Sequence, residues 1–293
     1  MTNPRYIVGI DLGTTHCVVA YTEVEQSETA QPEIKLMAIP QIVSPGEIKE
    51  EPVLPSFLFL PGPHDVPKEG LALPWNKKMD FAVGEFARSR GAELPHRLIS
   101  SAKSWLCHDG VDRTEAILPW DSPEDGKRIS PLEASAKLLE HLKEAWNYQV
   151  AADDEANQLA KQEIYLTVPA SFDAVARELT VQAAHLAGLE NLTLLEEPQA
   201  AFYAWLQSQH DEWRNHIRVG ETILVCDVGG GTTDFSLIEA IEEDGQLGLK
   251  RIAVGDHLML GGDNMDLTLA YAVQAKLAKE GTKLDSWQFR GLW

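Results

Sequence analysis

The sequence has few cysteines, and the three it has lie far apart, at Cys17, Cys107 and Cys226. They include no C-x-x-C pair, which argues against a disulfide framework or a zinc site and is typical of a reducing compartment. No apolar run approaches the roughly 18–20 residues that cross a bilayer. The first residues also lack the basic and apolar segments of a secretory signal. We therefore expect a cytoplasmic protein with no membrane partner.

Basic residues are also scarce. The chain has 25 Lys and Arg against 45 Asp and Glu, a formal net charge of −20. Such a surface repels nucleic acid and anionic lipid, so we expect neither as a partner. The 293 residues, of which 44% are hydrophobic, suffice for one large or two ordinary globular domains.

A glycine-rich turn stands out from this ordinary composition. Residues 224–234 read Leu-Val-Cys-Asp-Val-Gly-Gly-Gly-Thr-Thr-Asp, which predicts a buried strand that ends in an acid, Asp227, and then a tight turn. Glycines let backbone N–H groups approach a ligand closely. An acid at such a strand end is costly to bury unless a cation lies opposite it, and phosphate-bound Mg²⁺ is the simplest candidate.

The same pattern occurs near the start of the chain. Residues 6–21 read strand, acid, turn and strand, with Asp-x-Gly and Thr-Thr in the same order as residues 223–238. The two acids, Asp11 and Asp227, lie 216 positions apart. This internal repeat predicts two hairpins that face each other and hold a polyphosphate from both sides.

Between the hairpins, strands and helices alternate. Strands are predicted at 164–169 and 192–195, with a helix at 172–187 and another from about 200 to 209, an order typical of an α/β layer with parallel strands. Ligands of such layers lie at the carboxyl ends of strands. Four candidate residues directly follow predicted strands: Asp11, Pro169, Glu197 and Asp227.

Two further segments give local expectations. Residues 40–74 carry eight of the 16 prolines, which excludes a helix or a central strand; we expect a surface excursion with one short edge strand at 53–60. Ser130-Pro-Leu-Glu133 is a capping box with proline at the first helical position, and its helix should run to about residue 148. The helix at 172–187 is expected to bury Val175, Leu179 and Leu186.

Taken together, these segments resemble the seventy-kilodalton heat-shock chaperones of the DnaK type, within the actin-like ATPase superfamily. The motifs that carry the resemblance occur in the family's order, at residues 9–15, 166–172, 187–201, 227–234 and 255–262. The resemblance implies an α/β, actin-like ATPase (ribonuclease H-like) fold with a duplicated domain. It also implies ATP or ADP with Mg²⁺ as cofactors, in a cleft between two lobes.

The resemblance also implies a domain division. Residues 1–219 would form the first lobe, with an insertion subdomain at about 45–129, and residues 220–293 would begin the second. This second lobe is expected to be incomplete, truncated before the adenosine-binding segments, so the chain as given should bind ATP weakly. It is also expected to lack the family's peptide-binding domain.

Site residues follow from the same match. Asp11 and Asp227 would hold Mg²⁺, mostly through its waters. Asp234 would be a secondary cofactor-binding or hinge residue, or merely an acid that caps the turn. The residues expected to bind the terminal phosphates come from both hairpins: Gly13, Thr14, Thr15, His16, Gly229, Gly230, Gly231 and Thr232.

The catalytic residues implied by the resemblance are Lys103, Glu197, Asp227 and Thr232. Lys103 would stabilise developing negative charge, and Glu197 would orient or deprotonate the attacking water. A lone lysine is more often a solvated surface residue. Glu197 can equally be an acid favoured by the dipole at a helix N-terminus.

Partners are implied as well. Pro169 and Arg177 resemble the pair that relays nucleotide state in the family, although Arg177 can also be read as an exposed helix residue. Co-chaperones or a nucleotide-exchange factor are the expected partners. Thr193, Glu196 and Gln199 stand where the family presents an arginine-containing surface to J-domain proteins, which argues against a standard J-domain contact.

Three functions remain open at this point. The first is the ATPase module of a DnaK-like chaperone. The second is a sugar or metabolite kinase of the actin-like fold, against which the segments at 167–169 and 196–201 argue. The third is a non-hydrolysing actin-like scaffold. The joint presence of the proposed catalytic residues argues against that reading.

Overall fold

The computed structural model describes residues 3–27, 32–108, 110–123, 126–152, 154–209, 212–213, 216–243, 246–256, 258–285, 288–289 and 291–292. The strands are β1 (Tyr6–Leu12), β2 (His16–Glu23), β3 (Lys35–Leu36), β4 (Ile39–Ser44), β5 (Glu47–Glu51), β6 (Leu54–Pro55), β7 (Leu58–Phe59), β8 (Ala82–Val83), β9 (Leu98–Ile99), β10 (Glu163–Val168), β11 (Leu192–Glu196), β12 (Thr222–Val228), β13 (Thr233–Glu243) and β14 (Gln246–Val254). The α-helices are α1 (Val24–Ser27), α2 (Glu85–Glu93), α3 (Ala102–Trp105), α4 (Pro131–Trp146), α5 (Ala174–Leu186), α6 (Glu197–Gln209) and α7 (Gly262–Lys279). Short 3-10 helices lie at Pro95–Arg97, Glu155–Asn157 and Leu159–Lys161, and a wide helical turn at Asn147–Ala151.

The first sheet has the strand order β11-β10-β1-β2-β3, with β6 added to β2. β1 is parallel to β10 and β10 to β11, whereas β1 and β2 form an antiparallel hairpin. Helix α5 connects β10 to β11, as a parallel pair requires. The strand–helix–strand unit expected from the sequence is therefore confirmed, and it gathers the carboxyl ends of β1, β10 and β11 at one edge.

Alternation along β1 separates the core from the site. Tyr6, Val8, Ile10 and Leu12 are buried, so Asp11 lies on the opposite, accessible side of the strand. Helix α4 covers the core with its apolar face, in which Leu139, Leu142 and Trp146 are fully buried. The capping box that begins this helix is confirmed, since Ser130 Oγ accepts from the N–H of Glu133 and Glu133 Oε2 accepts from the N–H of Ser130.

Helix α5 turns a different face inward from the one expected. Leu179 is buried, but Val175 is 56% and Leu186 63% exposed, so these two assignments were wrong. The buried stripe includes Ala176, Leu179 and Ala183, at helical spacing. Small alanines let α5 lie close to its neighbours, and Val175 and Leu186 fall outside that stripe.

The proline-rich segment is more ordered than expected. Residues 39–51 form the antiparallel hairpin β4–β5, and Pro40 is buried within β4. Proline is tolerated there because both strands of a two-stranded sheet have a free edge. Ile42, Phe59 and Phe86 are members of a second apolar cluster beneath this hairpin. The surface excursion is thus a packed unit, and the single edge strand expected at 53–60 is two short strands, β6 and β7.

The second sheet is the antiparallel meander β12-β13-β14. Helix α6 lies against it, with Phe202 in one apolar cluster with Ile217 and Ala240. The mixed α/β class with several sheets is confirmed. The duplication of the lobe, its incompleteness and the boundaries at 1–219, 45–129 and 220–293 stay predictions. Within the described residues we found no helix that combines the length and the apolar character needed to cross a membrane.

Candidate nucleotide site

The first acid-bearing turn joins β1 to β2. A Cβ on Gly13 would lie 2.2 Å from the carbonyl oxygen of His16, so this tight turn requires glycine. Thr14 and Thr15 form its tip, and the ring Nδ1 of His16 lies 3.2 Å from Thr15 Oγ1. Asp11, two residues before the turn, accepts a hydrogen bond of 2.9 Å from Thr167 Oγ1 on β10.

Ser56, which lies between β6 and β7, supports this turn from behind. Ser56 Oγ donates to the carbonyl of Gly13 (2.7 Å) and the N–H of Ser56 donates to the carbonyl of Thr15 (2.8 Å). Cys17 packs beside Ser56, with 3.3 Å between the sulfur and the hydroxyl oxygen, and burial raises the pKa of its thiol to about 12. Cys17 is therefore a neutral packing residue rather than a nucleophile.

The second acid-bearing turn joins β12 to β13. Asp227 lies directly across the ladder from Asp234, and the N–H of Gly229 donates to the carbonyl of Thr232 (2.8 Å). Helix α7 begins against this turn: the N–H groups of Gly262 and Asp263 donate to the carbonyls of Gly229 (3.0 Å) and Gly230 (2.8 Å). The glycine motif at 255–262 thus serves to seat a helix N-terminus on the turn.

The two turns face each other and touch, as the repeat predicted. A Cβ on Gly230 would lie only 1.9 Å from Thr15 Cγ2, and a Cβ on Gly231 would lie 2.7 Å from Thr14 Cγ2. The hydroxyl oxygen of Ser104 lies 2.8 Å from where a Cβ on Gly231 would be. This hydroxyl is buried and has no hydrogen-bond partner in the described part of the chain. Glycine at 230 and 231 is therefore what permits the close approach.

Lys103 and Glu197 form an ion pair at the same place. Lys103 lies in the short helix α3 and is 7% exposed, and its ammonium contacts Glu197 Oε1 at the start of α6. Ser101, just before α3, has a left-handed backbone (φ 53°), and its hydroxyl lies 3.4 Å from Asp263 Oδ2. The buried ion pair rules out the solvated-surface alternative for Lys103.

The electrostatics of the cluster are dominated by excess negative charge. Burial by itself would lower the pKa of Lys103, but the carboxylates of Glu197 and Asp11 outweigh it and raise that pKa. Burial raises the pKa of Glu197, with Asp11 and Asp227 adding to the rise and Lys103 opposing it. Burial and the neighbouring Asp234 raise the pKa of Asp227 in the same way. The pKa of Lys103 is thus raised by the carboxylates of Glu197 and Asp11, whereas the pKa of Glu197 is raised first by burial and then by Asp11 and Asp227.

The excess of carboxylates over basic groups in this cluster favours the binding of a cation. Across the residues that the structure describes, no three His, Cys, Asp or Glu side chains converge closely enough to hold a metal ion directly. Asp11 and Asp227 can therefore serve Mg²⁺ through its waters, which the ion keeps readily. The glycine cradle, the partnerless Ser104 hydroxyl and the carboxylate cluster together fit a magnesium-bound polyphosphate.

Pro169 and Arg177 lie beside this cluster. Pro169 directly follows β10, and its carbonyl accepts from the N–H of Phe172 at 3.2 Å. Arg177 donates to the carbonyls of Phe172 (3.0 Å) and Ala170 (3.1 Å) and to Glu196 Oε1 (2.9 Å). Arg177 is thus bound to the loop that follows Pro169 and is not simply an exposed helix residue.

Sequence reasoning missed several supporting residues. Thr167 holds Asp11, Ser56 holds the first turn, and Ser104 approaches the second. The role of Thr167 could have been predicted from the sequence, because it lies near the end of a strand that is parallel to the one that carries Asp11. No sequence signal links Ser56 or Ser104 to the turns, since each contact depends on tertiary packing.

The chain is similar to several known chaperone proteins. A family model described as Hsp70 protein matches residues 76–288. The chain is 29% identical over 275 residues to a chaperone protein DnaK of Emiliania huxleyi, which covers 89% of the chain and 36% of that protein. It is 29% identical over 262 residues to the chaperone protein DnaK of Stenotrophomonas maltophilia (strain R551-3), with coverage of 89% and 36%.

A third relative carries a different chaperone name. The chain is 28% identical over 266 residues to a chaperone protein HscA homolog of Actinobacillus pleuropneumoniae serotype 5b (strain L20), with 91% of the chain and 37% of that protein covered. The chain thus spans little more than a third of the length of these relatives. The family match covers well over half of the chain and confirms the resemblance: the chain belongs to the Hsp70 protein family.

Proposed function

We propose that this chain is the nucleotide-binding part of a DnaK-like chaperone, which binds ATP or ADP with Mg²⁺ and hydrolyses the γ-phosphate in the full-length protein. The observation that carries the proposal is the buried Lys103–Glu197 pair, which lies between two acid-bearing glycine turns. A scaffold without turnover has no need to bury a lysine beside the carboxylates of Glu197 and Asp11, since burying charge is costly.

Phosphate binding is assigned to the two turns. Gly13, Thr14, Thr15 and His16 on one side, and Gly229, Gly230, Gly231 and Thr232 on the other, would donate backbone and hydroxyl hydrogen bonds. Because the tips of the turns touch, they must separate slightly to admit a phosphate between them. Ser104 would add a hydroxyl that has no other described partner.

Metal binding is assigned to Asp11 and Asp227, mostly through water, with Asp234 behind Asp227. Mg²⁺, when bound, supplies charge neutralisation to the β- and γ-phosphates. The chain's own contribution is to hold the carboxylates in place. Thr167 fixes Asp11 by its hydroxyl, and the ladder pairing of β12 with β13 fixes Asp227.

The hydrolytic step is assigned to Lys103 and Glu197, with Asp227 and Thr232 in support. Lys103, whose pKa is raised, stays protonated and would stabilise the negative charge that develops on the transferred phosphoryl group. Glu197, whose pKa is raised by burial, is better suited than an ordinary glutamate to take a proton from the attacking water near neutral pH. Glu197 is also the first residue of helix α6, so its carboxylate can interact favourably with the helix dipole and still act in catalysis.

The remaining parts of the proposal rest on the family. The fold would be an actin-like ATPase with a duplicated lobe, of which residues 1–219 form the first and 220–293 the start of the second. Co-chaperones or a nucleotide-exchange factor would be its partners, with Pro169 and Arg177 as the relay. Scattered free cysteines and the likeness to DnaK proteins support a cytoplasmic location.

One assay separates this function from the alternatives. The full-length protein that contains this chain is incubated with Mg·ATP, and inorganic phosphate and ADP are measured with and without a panel of sugars. The proposal predicts a slow release of phosphate that no sugar changes. ADP formation that requires a sugar and yields no free phosphate would favour the kinase, and binding without any turnover would favour the scaffold.

A further inference from the structure

Glu196, the last residue of β11, joins the first sheet to the β12-β13-β14 sheet. Its Oε1 accepts a hydrogen bond of 2.9 Å from the guanidinium of Arg177 on α5, which packs with the first sheet. The same oxygen accepts from the guanidinium of Arg251 on β14, in the second sheet. One carboxylate therefore bridges elements that are 19 and 55 positions away in the sequence.

Arg177 is held in position by other contacts, whereas Arg251 is placed by the register of its strand. Arg177 also donates to two carbonyls of the loop 170–172, which fixes its guanidinium. Arg251 lies opposite Ile238 in the β13–β14 ladder and so shares a face of the sheet with that buried residue. The side chains of Glu196 and Arg177 are 14% and 28% exposed, so solvent screens their pair less than it screens a surface salt bridge, whereas Arg251 is 40% exposed and its pair lies nearer the surface.

The bonding of Glu196 is one-sided. Both arginines use Oε1, while Oε2 is buried and has no hydrogen-bond partner in the described parts of the chain. A buried polar atom without a partner needs an explanation. A carboxylate placed to span two arginines on separate sheets explains it, because the position that reaches both leaves the second oxygen without a donor.

The bridge lies next to the proposed catalytic residues. Glu196 directly precedes Glu197, whose carboxylate contacts Lys103. The second sheet carries Asp227 on β12, and Arg251 lies on the same sheet. Any rotation of one sheet against the other at Glu196 would change the separation between the Lys103–Glu197 pair and Asp227.

We propose that Glu196 is a positioning residue, which binds Arg177 and Arg251 and thereby fixes the second sheet relative to the first at the nucleotide site. This role rests on the proposed function, because the distance that it sets matters only if Asp227, Lys103 and Glu197 act together. Loss of the carboxylate would leave two guanidinium groups facing each other without a counterion, so the bridge would open rather than relax in place.

The test is a double-mutant cycle of Glu196→Gln and Arg251→Met. Each single variant should lower the single-turnover hydrolysis rate about ten-fold with a much smaller change in Mg·ATP affinity, and the double variant should be no worse than either. Arg251→Lys, which keeps the charge, should recover part of the rate. Lys250→Met, at the exposed neighbouring position of β14, is the matched control and should leave the rate unchanged.

A second readout does not depend on nucleotide. Amide hydrogen exchange across residues 192–200 should be faster in Glu196→Gln and Arg251→Met than in Lys250→Met, with no ATP present. If the full-length protein fails to hydrolyse ATP but this exchange pattern holds, the proposed function fails and the bridge stands. Additive losses in the double variant, or exchange equal to that of the control, would overturn the role of Glu196.

Discussion

Lys103 on α3 and Glu197 at the start of α6 form a buried ion pair across 94 positions of sequence. The pair should matter for the chemical step more than for binding. In the full-length protein, we expect Lys103→Ala to lower the single-turnover rate of ATP hydrolysis by about a hundred-fold, the usual scale for loss of an electrostatic stabiliser. Nucleotide affinity should change little.

The control for this variant is Lys161→Ala, which removes a lysine from an exposed pair with Glu155. Lys161→Ala should leave both the single-turnover rate and the nucleotide affinity at the wild-type level. Rapid-quench measurement with enzyme in excess over ATP separates the chemical step from product release. An unchanged rate in Lys103→Ala would remove Lys103 from the mechanism.

The contact between the turns gives a steric prediction. Gly230→Ala would place a methyl group 1.9 Å from Thr15 Cγ2, so one turn must move and the phosphate site must distort. We expect at least a ten-fold weaker affinity for Mg·ATP, measured by calorimetry. Thr15→Ser in the same background removes the clashing methyl group and should restore part of the affinity.

Gly9→Ala is the matched control for Gly230→Ala. The nearest atom to its new Cβ is 3.9 Å away, an ordinary contact, and Gly9 lies within β1 rather than in the turn. The affinity of Gly9→Ala for Mg·ATP should equal that of the wild type. Equal affinities for Gly230→Ala and Gly9→Ala would contradict the placement of phosphate at the second turn.

Much of this site was predictable because its parts are local. The acids, glycines and threonines of both turns are consecutive in sequence, and Asp227 and Asp234 pair because a tight turn requires it. The supports were not predictable, because Ser56, Ser104 and Arg251 reach the site only through tertiary packing. Val175 and Leu186 were misassigned because helical spacing allows several faces, and the choice among them depends on the neighbour of the helix.

Asp11 offers a test of positioning by hydrogen bonding. Thr167→Val removes the hydroxyl that donates to Asp11 Oδ1 while it keeps the shape of the side chain. The apparent affinity for Mg²⁺, measured as the magnesium dependence of ATP binding, should fall several-fold. Thr167→Ser keeps the donor and should retain the wild-type value; equal losses in both variants would show that the methyl group, and not the hydrogen bond, is what matters.

His141 gives a prediction for the dependence of stability on pH. Its Nε2 lies 2.9 Å from the carbonyl oxygen of Pro40, and burial lowers its pKa to about 4. The unfolded chain protonates this histidine near pH 6.5, whereas the folded chain resists protonation down to about pH 4. Stability is therefore lost as pH falls through this window, by at most about 3 kcal/mol.

Urea unfolding at pH 7.5 and pH 5 measures this effect. His141→Gln should be less stable at pH 7.5 but should lose less of its free energy of unfolding on acidification. The control His185→Gln, at an exposed position of α5, should keep the wild-type pH dependence. An unaltered pH dependence in His141→Gln would mean that His141 does not titrate in this window.

The most direct test of the two-turn site is ATP binding by the Asp11→Asn/Asp227→Asn double variant, measured by calorimetry with and without Mg²⁺. The wild-type chain should bind ATP more tightly with Mg²⁺ than without it. The double variant should lose this magnesium dependence, because both carboxylates that face the metal have gone. Magnesium-dependent binding that is undiminished in the double variant would contradict the site proposed at the two facing turns.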